Sequence, residues 1–114
     1  MTDYSKMSDN EINMAIAKVI FPNYKVIESK RRSPSACVIS HLQSKWVNYC
    51  NNPADAWPII VKNNISICSY VIHNPGMVRR EYWEADVFTE HKCTDKNPLR
   101  AAMIVFLMMQ EKKE

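Results

Sequence analysis

The residues best suited to metal and thiol chemistry are four cysteines and three histidines. His91 and Cys93 stand two residues apart, whereas the other cysteines and histidines are scattered along the chain. A structural zinc site needs four ligands, which are usually delivered as closely spaced pairs. One such pair supplies only two ligands, so we expect no metal site. Cys37 and Cys68 lie in apolar, strand-like runs, where a free cysteine behaves as a small hydrophobic residue, and we expect reduced, buried thiols.

Catalytic patterns are weak in this sequence. Glu84 and Asp86 fall on one face of a predicted strand, and a solvated strand face explains them more simply than an acid–base pair does. The chain has one glycine, Gly76. This count excludes the dinucleotide fingerprint, the P-loop, the GxSxG nucleophile elbow and the GXXG loop, because each needs at least two glycines. We therefore expect a non-enzymatic protein without a cofactor.

Two clusters of basic residues favour binding to nucleic acid. The first is Lys30, Arg31 and Arg32 in a polar loop, and the second is Arg79 and Arg80 beside Tyr82 and Trp83. Arginine near an aromatic platform is a common way to hold a single strand. The net charge is only +3 and is spread evenly, which is less than a nucleic-acid-binding surface usually shows. We therefore take nucleic-acid binding as the alternative function, behind binding to a protein.

A third set of polar and aromatic residues lies at predicted helix starts and on one nearby strand. Helix N-termini offer free backbone N–H groups and a partial positive charge, which suit an anion or the carboxylate of a partner. The structural alternative is that asparagine caps helices and tryptophan fills the core. The candidate binding residues of this set are Asn51, Asn52, Asp55, Trp57, Trp83, Asn97 and Arg100.

Capping and apolar spacing predict the helices that position these residues. Ser8 and Glu11 form a capping box ahead of an apolar stripe that runs to Ile20, and Pro22 ends this helix. Asn52-Pro53 starts a second helix, which we expect to be bent or divided at Pro58 and to end at Asn63-Asn64. Asn97-Pro98 starts a third, which runs to about Gln110.

Alternation and turn residues predict the strands. Residues 24–42 read as an antiparallel pair, and residues 43–50 are interpreted as a strand through Trp46, Val47 and Tyr49. Residues 65–72 and 82–88 are expected to pair antiparallel through a turn at Pro75-Gly76. The resulting fold class is α+β, a single layered domain over residues 1–114 with a small antiparallel sheet and two to three packed helices.

The final helix is apolar on almost every side from Leu99 to Met109. The sheet and the first helix would cover two of its faces, and a third face would still need cover. Closed two-fold dimers are the commonest way to cover such a surface, so we predict a homodimer. The longest apolar run is too short to span a membrane and the N-terminus lacks an apolar signal segment, so we expect no membrane contact and a cytoplasmic location.

Several blocks of this sequence resemble the NinX-like family of small proteins carried by tailed phages and enterobacterial prophages. The blocks are Ser8-Asp9-x-Glu11-Ile12-Asn13, residues 49–60 (YCNNPADAWPII) and residues 97–108 (NPLRAAMIVFLM). The latter two are also similar to the related phage αβα-sandwich domain. The resemblance implies a phage accessory protein of layered α+β fold in a bacterial host, and it implies no established biochemical activity. We expect the protein to act by binding a host protein or its own copy.

Overall fold

The computed structural model describes residues 3–29, 35–40, 43–88 and 90–112. A 3-10 turn at Tyr4–Lys6 precedes the longer elements. In chain order these are α1 (Asp9–Ile20), β1 (Lys25–Glu28), β2 (Ala36–Ile39), β3 (Ser44–Val47), α2 (Pro53–Lys62), β4 (Ser66–Ile72), β5 (Arg80–Val87), β6 (His91–Asp95) and α3 (Pro98–Lys112). This content confirms the α+β class.

The strands form two three-stranded antiparallel sheets, ordered β1-β2-β3 and β4-β5-β6, instead of one small sheet. The predicted pair within residues 24–42 is confirmed, with Lys25 opposite Ile39. The strand interpretation of residues 43–50 is confirmed for Trp46 and Val47, whereas Tyr49 lies in the turn that follows. Within each sheet, strands that are neighbours in sequence therefore pair with each other.

The hairpin of β4 and β5 is confirmed, with Ser66 opposite Asp86 and Ile72 opposite Arg80. The Met77 backbone N–H donates to the Asn74 carbonyl over 2.9 Å, and Gly76 has φ +81°. A type II turn requires this positive φ at its third position, where glycine has no steric cost. Strand β6 was not predicted, because its sequence HKCTD lacks a clear apolar alternation.

Helix α1 has the predicted capping box between Ser8 and Glu11. Helix α2 runs without interruption from Pro53 to Lys62 with Pro58 inside it, so the expected division into two parts is wrong. Proline removes one backbone hydrogen bond, here the one to the carbonyl of solvent-exposed Ala54, which water can satisfy. Asn64 has φ +55° just after this helix, as the predicted asparagine ending requires.

Helix α3 lies at the centre of the hydrophobic core. It packs on β5 and β6 and contacts both α1 and α2, and every side chain from Ala101 to Leu107 is buried. The expectation of an uncovered third face is therefore wrong, because one chain buries Met103, Phe106 and Leu107 by itself. This removes the reason for a homodimer through α3, while self-association remains a prediction.

Candidate functional site

The N-terminal ends of the three helices lie close together and are joined by polar side chains. Ser8 caps α1, Asn52 caps α2 and Asn97 precedes α3. Hydrogen bonds connect these ends through a group of side chains that we call the helix-entrance cluster. Its members are Asp9, Asn13, Asn48, Asn51, Asn52, Asp55, Asp95, Asn97 and Arg100.

Arg100 joins the cluster to the segment before α1. Its Nη1 lies 2.7 Å from Oδ1 of Asp9 and its Nε lies 3.0 Å from Oδ2 of Asp95. Its Nη2 also donates to the backbone carbonyls of Met7 at 2.6 Å and Ser5 at 3.2 Å. Burial by itself lowers the pKa of Arg100, but the hydrogen bond to Asp9 and the charge of Asp95 outweigh it and raise the pKa overall. The guanidinium therefore stays charged and fixes the segment before α1 against α3.

Asn97 links α3 to the turn that precedes α2. Its Oδ1 accepts from the backbone N–H groups of Leu99 at 2.9 Å and Arg100 at 3.3 Å, which caps α3. Its Nδ2 donates to the Cys50 carbonyl at 2.7 Å and to Oδ1 of Asn51 at 3.3 Å. One amide side chain thus serves both as a cap and as a contact between two elements.

Asn13 and Asn48 connect α1 to the same turn. The buried Asn13 donates from Nδ2 to Oδ1 of Asn48 at 3.0 Å and accepts from the Cys50 backbone N–H at 3.1 Å. Asn51 donates to Oδ1 of Asn48 and to Oδ2 of Asp9, both at 3.2 Å. Sequence reasoning missed Asn13, although a polar residue directly beside the apolar stripe of α1 is the signal that could have identified it.

The side chains of Asn52 and Asp55 accept hydrogen bonds at the start of α2. Oδ1 of Asn52 accepts from the Ala54 backbone N–H at 3.0 Å. Oδ2 of Asp55 accepts from the Asn48 backbone N–H at 2.9 Å and from Nδ2 of Asn52 at 3.2 Å. Asn52 therefore caps α2, which is the structural alternative considered for it from the sequence, and Asp55 holds both this cap and the segment before it.

The structure brings together five of the seven candidate binding residues, and it uses their polar groups internally. Asn51, Asn52, Asp55, Asn97 and Arg100 bond to one another, to the backbone or to the two aspartates Asp9 and Asp95. Among the described residues, every buried polar side-chain atom has a hydrogen-bond partner. Backbone N–H groups at the helix starts, which an anion would use, already donate to the side-chain oxygens of Ser8, Asn52 and Asn97. The arrangement is suited to holding the starts of α1, α2 and α3 together.

The two candidate tryptophans lie outside this hydrogen-bonded network. Trp83 stands opposite Asp95 on the neighbouring strand, at the border of the cluster. Trp57 is 60% exposed on α2. It lies next to Pro58, which lines a groove of about 430 Å³ between α1, α2 and α3. The seven candidates therefore divide into five members of the helix-entrance cluster, Trp83 at its border and the separate, exposed Trp57.

The basic candidates are only partly described. Lys30, Arg31 and Arg32 lie outside the described residues. Arg79 pairs with Glu81 at 3.0 Å, with both side chains mostly exposed. Arg80 lies opposite Ile72, on the strand face that also carries Tyr82.

Tyr70 and Tyr82 stack on this face, with ring centroids 5.3 Å apart and an interplanar angle of 13°. Glu84 and Asp86 occupy the same face, because they alternate with Tyr82 along β5. Lys92 lies on this face too, with its Nζ 3.7 Å from Oε1 of Glu84, so the two negative charges are offset by Arg80 and Lys92. The surface therefore has an aromatic platform but a balanced charge.

The four cysteines are free thiols. Cys37, Cys50 and Cys93 are buried, as expected, but Cys68 is exposed because it points to the solvent face of β4. Burial, together with the nearby charge of Asp9, raises the pKa of Cys50 to about 12, and burial with Asp95 raises the pKa of Cys93 to about 11. Within the described ranges, no three His, Cys, Asp or Glu side chains are grouped to hold a metal ion.

Taken together, the observations define a small α+β protein whose three helices start at one shared polar joint. A family model described as "Bacteriophage P22, NinX" matches residues 3–110, which is almost the whole chain. The chain belongs to this NinX family and is a phage accessory protein. No curated protein and no solved structure matches it. In the part of the chain that is described, no helix has the length and apolar character needed to cross a membrane.

Proposed function

We propose that this phage protein is non-enzymatic and acts in the bacterial cytoplasm by binding a host protein through the groove beside Trp57. The observation that carries the proposal is the exposure of large apolar side chains on α2 and at the end of α1, of which Val19 and Ile20 line the groove and Trp57 and Val61 lie outside its lining. Trp57 and Val61 are one turn apart on α2 and are 60% and 55% exposed, and Val19 and Ile20 at the end of α1 are 38% and 40% exposed. Exposed tryptophan beside a pocket is typical of binding hot spots.

The groove suits an amphipathic helix of the partner. Ile59 and Phe106 belong to its lining, and Val19, Ile20 and Pro58 complete the apolar part. A helix that places apolar residues into such a groove buries them every three to four positions. Lys62 also lines the groove and makes no ion pair within the described residues. We therefore propose a partner helix with Asp or Glu beside its apolar face.

The side chains that could take part in catalysis are either held in ion pairs or kept protonated, and this supports binding over catalysis as the function. Asp9 and Asp95, which could serve as acids or bases, are held by Arg100. The raised pKa values of Cys50 and Cys93 keep both thiols protonated near neutral pH, and a protonated thiol is a poor nucleophile. Trp57 and Val61, in contrast, expose apolar area on α2 that is not part of the hydrophobic core.

The test compares the wild type with Trp57→Ala and a matched control, Phe88→Ala. Phe88 is 77% exposed at the turn between β5 and β6, so this control also removes an exposed aromatic ring. Affinity capture from phage-infected cells identifies host proteins, and calorimetry with the purified candidate gives the affinity. We expect Trp57→Ala to weaken binding at least about 10-fold, as hot-spot truncations do, and Phe88→Ala to leave it unchanged. A host protein bound equally by all three proteins would overturn the proposed surface.

Nucleic-acid binding remains the second candidate, and the stacked pair Tyr70–Tyr82 beside Arg80 is the observation that favours it. Bases stack on such aromatic surfaces, and phosphate contacts make the affinity depend steeply on salt. Changing Lys30, Arg31, Arg32, Arg79 and Arg80 together to alanine should abolish binding of labelled single strands. Absence of any gel shift with the wild type at low salt would reject this candidate.

A further inference from the structure

The outer edge of β4 differs from the other sheet edges. Among the described residues, β4 pairs only with β5, so its second edge is free. Its seven residues, SICSYVI, contain no charge and no proline. Natural proteins protect free edges with charged residues, prolines, bulges or short strands, because an open edge invites pairing with another chain.

The other edge strands carry this protection. Strand β1 has Lys25 and Glu28 in only four residues, and β3 has Lys45 in four. Strand β6, at the opposite edge of the same sheet, has five residues that include Lys92 and Asp95. Strand β4 is thus the longest edge strand described and the one without charge.

The hairpin that contains β4 extends away from the rest of the molecule. Every residue from Cys68 to Glu81 is exposed, including Tyr70, Val71 and Ile72, which are apolar and lie near the end of β4. The molecule measures 58 × 33 × 25 Å, so it is markedly elongated. From Cys68 onwards, β4 is therefore accessible to a second chain.

We propose that β4 pairs with β4 of a second copy of this chain, antiparallel and centred on Ser69, so that the two sheets join into one six-stranded sheet. This register places Ile67 opposite Val71, Cys68 opposite Tyr70 and Ser66 opposite Ile72 of the other copy. No charged residue faces another in it. A shift by one residue would put the helix-bearing faces of the two sheets on opposite sides.

The occupant is a second copy because self-pairing about Ser69 sets apolar side chains against each other and brings no charges together. Ile67 then faces Val71 on the side of the sheet that carries the helices, and Cys68 faces Tyr70 on the other side. Two-fold contacts of this kind close on themselves and yield a dimer without further growth. The surface is separate from the groove at Trp57, so this inference stands independently of the proposed function.

Sedimentation equilibrium from about 1 to about 200 µM gives the first test, in which we expect a species of twice 13.3 kDa. Ser69→Lys places two positive charges directly opposite each other at the axis, and we expect it to weaken dimerisation at least about 10-fold. The matched control is Thr94→Lys, which adds the same charge to exposed β6 at the opposite edge of this sheet. A wild type that stays monomeric, or a dimer that Ser69→Lys leaves intact, would overturn the proposal.

A charge exchange tests the axis itself. Ser69→Lys and Ser69→Glu should each be largely monomeric when alone, and an equimolar mixture should form the dimer because opposite charges then meet. This rescue depends on Ser69 facing its own copy. No recovery in the mixture would contradict the centred register.

Disulfide trapping tests the register by a second route, in a Cys68→Ser background that removes the exposed native thiol. Ser69→Cys should crosslink two copies under mild oxidation, because directly opposite residues lie within the reach of a disulfide. Ser66→Cys is the control, since this position faces Ile72 of the other copy and lies far from its own equivalent. Equal crosslinking of both variants would reject the proposed pairing.

Discussion

At the start of α3, one guanidinium group bonds two carboxylates from different elements and two backbone carbonyls of the segment before α1. The side chains of Arg100, Asp9 and Asp95 are 13%, 33% and 22% exposed, so water screens their charges only in part. Removing the arginine would leave two carboxylates close together without compensation. The cost of such a change usually exceeds the net contribution of the pair itself.

We predict that Arg100→Ala lowers the free energy of unfolding by about 2–3 kcal/mol, since the pairs are partly exposed and fully buried pairs cost more. Arg100→Lys should recover only part of the loss, because an ammonium group cannot reach both carboxylates and both carbonyls in a fixed plane. Urea denaturation measures the change. The control is Arg79→Ala, whose ion pair with Glu81 is mostly exposed and should matter by less than about 0.5 kcal/mol. Equal effects of Arg100→Ala and Arg79→Ala would contradict this role.

The buried thiol of Cys50 predicts a loss of stability at high pH. Its pKa is about 12 in the folded protein and 9.0 for an ordinary thiol, so the unfolded chain releases this proton first. Stability from this group is complete below about pH 9 and decreases as the pH rises towards 12. We expect urea unfolding midpoints to fall between about pH 8 and pH 10.5, and to fall less steeply in Cys50→Ala. Parallel pH profiles for the two proteins would be inconsistent with this assignment.

Among the elements, those with local signals were predictable from the sequence. The capping box at Ser8, the Asn97-Pro98 start and the Pro75-Gly76 turn each depend on a few neighbouring residues, and the structure confirms them. Strand β6 was missed because pairing with β5 and contact with α3 define it, and its sequence alone does not. The continuity of α2 through Pro58 likewise depends on its packing against α3.

Asn97 combines a local cap with a contact between elements, so its replacement should affect both. We predict that Asn97→Ala lowers the free energy of unfolding by about 1–2 kcal/mol, through loss of the cap and of the bond to the Cys50 carbonyl. Asn97→Ser keeps an oxygen for the cap and loses the second contact, so its effect should be intermediate. Thermal unfolding separates the three proteins. If Asn97→Ser were as unstable as Asn97→Ala, the cap would not contribute as described.

For the whole molecule, the sequence predicted the layers but not how they are joined. It indicated five polar members of the helix-entrance cluster, yet Asp9 and Arg100 lie 91 residues apart in the chain and no local pattern predicts that they meet. The apolar character of α3 was correctly interpreted as burial. The number of elements that cover it depends on tertiary packing, which periodicity does not encode.

Met103 tests whether one chain covers α3 completely. Its side chain is fully buried within the monomer, so Met103→Ala should lower the free energy of unfolding by about 2–5 kcal/mol through lost burial and a residual cavity. Met77→Ala is the matched control, because Met77 is 61% exposed and should contribute less than about 0.5 kcal/mol. Both are measured by urea denaturation at a protein concentration low enough to exclude dimers. Similar small losses for both variants would show that α3 is not packed as described.

The two sheets have a consequence for the kinetics of folding. Each is a meander whose strands follow one another in the chain, so each can form from contacts that are local in sequence. The contacts of α3 with α1, and of Arg100 with Asp9, close much longer loops, and loop closure is slower and entropically more costly. We therefore expect the docking of α1 against α3 to be a late step of folding. Interactions made at such a late stage chiefly set how fast the native state unfolds, so we expect the helix-entrance cluster to affect the lifetime of the folded protein more than the speed of its folding.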